Sequence, residues 1–358
     1  MHITQLQGAH LRCFTEFSLT PASGVNLIVG ENGAGKSSLI EALHILGYGR
    51  SFRGRVRDGL IQQGHTQLQL VVNWQNTQGH AQQAGLQHNG ANWAARMNGE
   101  TQDNLSQFCQ HFPILTFEPG SHALITGSSD NRRRFVDWAL FHVEPEFIQV
   151  WRRFNRVLKQ RNALLKTQPS AQALSAWDQE FAETGEALGQ FRQNYLNALY
   201  PQMYAIAERV VPEYEAFALN YQHGWREGQV RLLDALRLNF VRDMQTGYCG
   251  VGPHRADWQL TLGEGLTQQH FSRGQGKLLA LAALLAQARH FHAVMGFWPI
   301  LCFDDLASEL DKRHFQLVAD VLSESNGQIW ITGAESDPSL QKRFNDSRVF
   351  HVEHGCIA

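Results

Sequence analysis

The sequence predicts an α/β protein whose parallel-sheet core is split by an inserted helical lobe containing a short antiparallel helical hairpin. Three observations predict it. A short apolar strand runs through a glycine-rich turn into a helix near residue 30. Strands and helices alternate between about residues 276 and 332. Between these two regions lies a glycine-poor stretch with helical spacing.

The elements follow in order. Leu6–Phe17 is a mixed segment ending in alternation, so the first 30 residues read as strands. Val25–Val29 is an apolar run that stops at Gly30 and enters the glycine turn. Leu39, Ile40, Leu43 and Leu46 then recur at helical spacing over Ser37–Leu46. Residues 60–118 read as β-rich, with Gln67–Val72 partly alternating and turn signals at Gly79, Gly85, Asn89-Gly90 and Asn98-Gly99. From Asn131 to Pro212 glycine thins out. Phe147, Trp151, Phe154, Leu158 and Leu165 form one stripe, interrupted by Arg161; Trp177, Phe181, Leu188, Phe191, Tyr195 and Leu199 form a second. Thr167–Ser170 separates them, so the expectation is a hairpin with arms of about 20 residues, roughly 30 Å each. A helix is expected from Gly276 to Phe291, a strand at Ile300–Phe303, a helix at Lys312–Leu322 and a strand at Gln328–Thr332. The expected division is 1–130 and 245–358 for the two parts of the α/β core, and 131–244 for the helical lobe.

Composition narrows the function class. The chain has 358 residues, 43% hydrophobic and 18% charged, with a net charge of −2. That is enough apolar material for a core and too little charge for a disordered chain. Affinity for nucleic acid must therefore come from local patches. The five scattered cysteines include no Cys-x-x-Cys pair, which argues against a disulfide framework or a zinc knuckle. The start lacks a charged leader with an apolar run, and no 18-residue apolar stretch is evident. The expectation is a soluble, cytoplasmic protein with no membrane span. The 17 histidines form no metal pattern.

Three segments carry chemistry. Gly30-Glu31-Asn32-Gly33-Ala34-Gly35-Lys36-Ser37 fits G-x-x-x-x-G-K-[ST] between a strand and a helix, with Ser38 following. Glycines let successive N–H groups converge on phosphate oxygens, the helix start adds partial positive charge, Lys36 reaches the terminal phosphates and Ser37 ligates Mg2+. The strand Ile300–Phe303 ends in Asp304 and Asp305. Asp304 suits the metal's hydration shell and Asp305 a general base, so Lys36 and Asp305 are the catalytic candidates. Finally, Phe271-Ser272-Arg273-Gly274-Gln275-Gly276-Lys277 opens an apolar helix, making Ser272, Gly274 and Gln275 a second anion site. Two half-sites per chain make sense when two copies meet head to tail across two nucleotides.

In chain order, the glycine loop, the Ser272–Gln275 segment and the Asp304-Asp305 strand, followed by Ala307-Ser308-Glu309-Leu310-Asp311, resemble the ABC ATPases. The long separation of Lys36 from Asp304, with a helical hairpin between, resembles their chromosome-maintenance and DNA-repair branch. Within it the chain is similar, end to end, to the RecF family of recombination mediators. Leu11-Arg12-Cys13-Phe14, Gly49-Arg50-Ser51-Phe52-Arg53, Arg132-Arg133-Arg134-Phe135-Val136-Asp137 and Gly252-Pro253-His254-Arg255-Ala256-Asp257 carry the resemblance. The chain departs from the pattern at Ala256, where that family more often has an acid, and at Thr332-Gly333, where transporter ATPases place a switch histidine. Glu118 is the nearest residue to a Q-loop glutamine. The resemblance implies an ABC-type ATPase head, a P-loop NTPase core with a helical lobe, that binds ATP and Mg2+ and hydrolyses ATP slowly. It implies an ATP-dependent homodimer, binding to duplex DNA and single-strand gap junctions, and a role in replication, recombination and the SOS response to DNA damage. Partners implied are RecO and RecR and, indirectly, RecA.

The DNA side has three basic clusters. Residues 147–166 carry Arg152, Arg153, Arg156, Lys159, Arg161 and Lys166 with no acid. Arg50, Arg53, Arg55 and Arg57 form a second cluster and Arg132–Arg134 a third, which acids of the helical lobe can instead neutralise. The aromatic stripes read as packing rather than base stacking. Two other classes share parts of this pattern. A stand-alone NTPase or small-molecule kinase needs an acceptor pocket and no dimer. An SMC-like structural ATPase needs coiled-coil arms far longer than about 20 residues.

Overall fold

The computed structural model describes residues 1–56, 58–212, 217–226, 228–263, 265–333 and 347–357. They form two compact units, Met1–Ser121 with Leu281–Ala358, and His122–Ala280. The first unit is thus built from both ends of the chain.

Its N-terminal part contains β1 (His2–Leu11), β2 (Phe14–Leu19), β3 (Val25–Val29), α1 (Lys36–Tyr48), β4 (Leu68–Gln75), β5 (Ala81–His88), β6 (Trp93–Met97), β7 (Glu100–Gln102), α2 (Leu105–Gln110) and β8 (Ile114–Phe117). The second unit holds α3 (Ala123–Thr126), α4 (Ser129–Val143), α5 (Phe147–Leu165), α6 (Ala171–Val210), β9 (Phe217–Gln222), α7 (Leu232–Thr246), β10 (Asp257–Leu262) and β11 (Leu266–Thr267). The boundary to the first unit falls inside α8 (Arg273–Met295). Then follow β12 (Ile300–Phe303), α9 (Leu306–Glu309), α10 (Lys312–Ser323), β13 (Ile329–Gly333), β14 (Arg348–Glu353) and β15 (Cys356–Ile357). Five strands of the first unit form the parallel sheet, ordered β14-β3-β13-β12-β8, with β15 antiparallel at the edge. All positions of β3, β8 and β12 are buried, as expected of strands covered on both faces. The β-rich segment forms an antiparallel sheet, β2-β1-β4-β5-β6-β7, whose inner face packs with α1 and α2 in one core.

The expected strands and helices of the α/β core are present, with ends moved by a few residues. The expected division differs from the two units around the signature segment: Ser272–Ala280 and β10 belong to the helical unit. The hairpin arms are unequal. α5 has 19 residues, whereas α6 has 40 and continues past Pro201, because Leu199, Met203, Ile206 and Val210 keep its buried stripe unbroken. Phe147 meets Phe191 and Phe154 meets Phe181, so the aromatic stripes pack on each other and the two helices run antiparallel.

Arg161 lies inside this pair, fully buried, bonded to Asp178 (2.7 Å) and Asp243 (2.8 Å). It is therefore a core residue and leaves the expected DNA face. Arg132 leaves too: it grips Asp257 through two bonds (2.6 and 3.0 Å) and donates to the carbonyls of Ile125 and Gly127. All five cysteines are free thiols. Among the described residues one helix, α8, is long and apolar enough to cross a membrane by length and composition, which corrects the reading of no such stretch. Leu279–Ala283, Leu285, Ala286, Ala288 and Phe291 are buried in the protein, the pattern of a core helix.

Candidate nucleotide site

The C-terminal ends of β3, β13 and β12 lie side by side in the parallel sheet, where open α/β sheets place their ligands. Gly30 ends β3. A Cβ there would stand 2.1 Å from the Val352 carbonyl oxygen of β14, so only glycine admits the close passage. Gly35 (φ +123°) closes the loop, and a Cβ there would meet Cys13 Sγ and the Phe14 ring at 2.8 Å. The turn between β1 and β2 thus supports the loop from one side. From another, the Gly355 amide donates to the Ala34 carbonyl (3.0 Å). Glu31, Asn32 and Gly33 are exposed at the tip, Ala34 and Ser38 are buried, and Ser38 N–H bonds back to Gly35 (2.9 Å).

Lys36, the first residue of α1, is 7% exposed. Its ammonium donates to the carbonyls of Gly30 (2.7 Å) and Glu31 (2.9 Å). The cation is thereby held over the loop, on uncharged acceptors that anionic phosphate oxygens can outcompete. Asp304, one residue beyond β12, is 4% exposed. Burial raises its carboxyl above the usual range, against the opposing pull of hydrogen bonds from Thr332 and Ser37. Ser37 and Asp304 are therefore brought together, and a hydroxyl beside a carboxylate is a hard oxygen pair suited to Mg2+. Among the described residues no group of three or more His, Cys, Asp or Glu side chains could hold a metal by itself. An ion on this pair would draw its remaining ligands from water and phosphate. Asp305 follows in the left-handed conformation (φ +57°) and opens α9. Glu118 caps the end of β8, accepting from the Gly120 amide (2.6 Å).

Sequence reasoning missed two supports. Thr332, at the end of β13, bonds to both Asp304 and Asp305; its position gave the signal and its chemistry did not. Glu41 on α1 is fully buried and receives Arg12 through two bonds (2.7 and 2.9 Å) together with the Ser51 hydroxyl, and Arg53 lies 3.9 Å away. This ties the Gly49–Arg53 segment to the loop helix. Burial also pushes His44 of α1 from 6.5 down to about 3, with Nδ1 hydrogen-bonded to Thr116 Oγ1 (3.0 Å). The unfolded chain protonates this histidine near 6.5 and the folded chain does not. Its contribution to stability is therefore complete above about pH 6.5 and is lost as pH falls toward 3, at up to about 1.4 kcal/mol per pH unit. Urea unfolding at pH 7, 6 and 5 is expected to show that slope, reduced by about one proton in His44→Gln; an unchanged slope in the variant would refute it.

In the helical unit, Ser272 and Gln275 form a capping box at the start of α8. The Ser272 amide donates to Gln275 Oε1 (2.8 Å) and the Gln275 amide to Ser272 Oγ (3.2 Å). Ser272, Arg273 and Gly274 are exposed. In the first unit, Ala307–Glu309 continue α9 and Asp311 caps α10. Of the basic residues, Arg152, Arg153, Arg156, Lys159 and Lys166 are exposed, with Arg153 and Arg156 sharing Glu180 (3.4 and 3.5 Å). Arg134 pairs with Asp130 (2.6 Å) and Arg133 donates to the Ala256 carbonyl (2.8 Å). Arg50, Arg53 and Arg55 are exposed, and Arg57 lies outside the described residues.

Residues 2–358 match the family model of the RecF/RecN/SMC N terminal domain. The chain is 47% identical over 362 residues to the DNA replication and repair protein RecF of Xanthomonas axonopodis pv. citri (strain 306), covering 100% of this chain and 98% of that protein. It is 35% identical over 358 residues to the protein of the same name from Thioalkalivibrio sulfidiphilus (strain HL-EbGR7), covering 100% and 99%. Among solved structures, the recombination mediator protein RecF with ATP, of the RecFOR pathway, superposes with a TM-score of 0.88 at 23% identity over 100% of this chain and 97% of that one. An Smc head domain from Pyrococcus furiosus, with an extended coiled coil and bound to the C-terminal domain of ScpA, gives 0.59 at 13% identity over 99% and 95%. The two structures agree with this one in fold.

Proposed function

Because the chain belongs to the RecF/RecN/SMC N terminal domain family, and within it groups with the RecF proteins, we propose that it is an ATP-dependent DNA-binding protein of replication and recombinational repair. The observation that carries the reading is a glycine loop that holds the buried Lys36 ammonium on the carbonyls of Gly30 and Glu31, in the same parallel sheet whose β12 ends at the buried Asp304. The loop amides of Gly30–Ser38 cradle the phosphates, and Lys36 exchanges its carbonyl partners for the terminal phosphate oxygens. Mg2+, held by Ser37 and Asp304, supplies charge neutralisation there. Asp305 orients and deprotonates the attacking water. Ser272, Gly274 and Gln275 of a second copy complete each pocket, so that nucleotide joins two copies and slow hydrolysis separates them. The exposed side of α5, with Arg152, Arg153, Arg156, Lys159 and Lys166, then contacts duplex phosphates, and binding weakens steeply with salt. RecO and RecR act with this clamp at single-strand gaps, where RecA is loaded.

Mixing variants tests the shared pocket. Lys36→Ala and Ser272→Arg are each expected to lose ATP hydrolysis. Random pairing of the two makes mixed dimers with one complete pocket out of two, so the mixture is expected to recover about a quarter of wild-type activity. A mixture as inactive as its components would show that each chain holds a whole pocket, the arrangement of a stand-alone NTPase.

A further inference from the structure

We infer that Thr332 is a positioning residue that fixes Asp304 and Asp305 in one mutual arrangement. The inference rests on the reading of those two acids given above. β13 lies between β3 and β12: Thr332 pairs with Ile28, and its neighbour Ile331 pairs with both Leu27 and Phe303. Its side chain is thereby delivered beside the end of the Asp304 strand, at 1% exposure.

A hydroxyl has one hydrogen and two lone pairs. Here the hydrogen goes to Asp304 Oδ1 (2.8 Å) and a lone pair takes the Asp305 amide (2.8 Å). One oxygen thus fixes a carboxylate and the backbone of the residue after it. Asp305 needs such fixing. Its backbone is left-handed (φ +57°, ψ +38°), a conformation that a non-glycine residue keeps only where its surroundings hold it. The Ser308 and Glu309 amides secure its carbonyl side (3.1 and 3.2 Å), and Thr332 secures its amide side. A purely structural position on a buried parallel strand favours valine, which fills the same volume without a polar atom to desolvate. Threonine is therefore explained by what its hydroxyl holds, and it holds the two acids.

The test uses the full chain with Thr332→Val, Thr332→Ser and Asp305→Asn. Thr332→Val is expected to bind a fluorescent ATP analogue within about threefold of wild type while its kcat falls about 10- to 100-fold, the scale of a misplaced group. Thr332→Ser keeps both bonds and is expected to restore kcat to within about threefold. Without nucleotide, amide exchange of the 304–309 segment is expected to accelerate about tenfold or more in Thr332→Val and to stay unchanged in Thr332→Ser. Thr332→Ala carries the same expectations should the valine variant not fold. Wild-type kcat in Thr332→Val beside an inactive Asp305→Asn would overturn the positioning role and leave the assignment of Asp305 standing. Wild-type kcat in Asp305→Asn would overturn that assignment itself. A serine variant as slow as the valine variant would also overturn the role.

Discussion

Arg161→Ala is expected to destabilise the helical unit by about 3–5 kcal/mol, the cost of removing one partner from a buried ion pair. Arg161 is fully buried, and its side chain reaches Asp178 (13% exposed) and Asp243 (1% exposed). Deleting it leaves two carboxylates facing each other with no cation, in a place where water cannot replace it. The damage spreads, because Asp243 also accepts from the Gly250 amide (2.9 Å) and so anchors the turn after α7. Arg156→Ala is the contrasting variant. Its side chain is 67% exposed and shares one glutamate, so its loss is expected to change stability by less than about 1 kcal/mol. Chemical unfolding of the two variants decides the matter. An Arg161→Ala midpoint close to that of Arg156→Ala would contradict a core role for Arg161. In the proposed duplex binding the order is expected to reverse, with Arg156→Ala weakening binding and Arg161→Ala leaving it unchanged wherever the fold is intact.

Gly30→Ala is expected to cost about 2–4 kcal/mol and to abolish nucleotide binding, from a clash added to an unfavourable backbone conformation. The added carbon would stand 2.1 Å from a main-chain oxygen of β14. That oxygen cannot swing aside as a side chain can, since β14 is hydrogen-bonded to β3 through His351–Val29 and to β15 through Val352–Ile357. Either the sheet opens or the loop moves, and either change displaces the amides proposed to hold phosphate. Gly33→Ala meets nothing within 4 Å and carries only the penalty of φ +84°, so about 1–2 kcal/mol is expected. Thermal melting and titration with a fluorescent ATP analogue measure both variants. Equal effects at Gly30 and Gly33 would rule out the contact with β14 as the cause.

The strand, glycine loop and helix around Lys36, and the strand before Asp304, were legible because their signals are local. The glycine spacing, Lys36 and Ser37 lie within one turn of chain, and an apolar run ending in two acids marks a buried strand without knowledge of its neighbours. Arg161 interrupts the apolar stripe of its helix, a local sign of burial, but it was counted with the exposed arginines because its neutralising acids, Asp178 and Asp243, stand on two other helices. For Arg132 the sequence left neutralisation by an acid open, and the partner itself, Asp257, comes from a strand beyond the helical stretch. The length of α6 was underread because its stripe was traced only to Leu199, whereas Met203, Ile206 and Val210 continue it past Pro201. Thr332 stood where the transporter pattern has a switch residue, and attention to the missing histidine concealed what the threonine holds.

The strand order has a consequence for biosynthesis. β3 is flanked in the sheet by β13 and β14, both encoded about 300 codons downstream of it. When Val25–Val29 emerges from the ribosome, neither native neighbour exists. The ~300 residues still to be translated, at ~5–20 residues per second, keep it waiting for roughly 15–60 s. All of 122–280 is translated in that interval. The helical unit can therefore mature first, and the glycine loop after β3 stays without its supporting strands until β13 and β14 arrive.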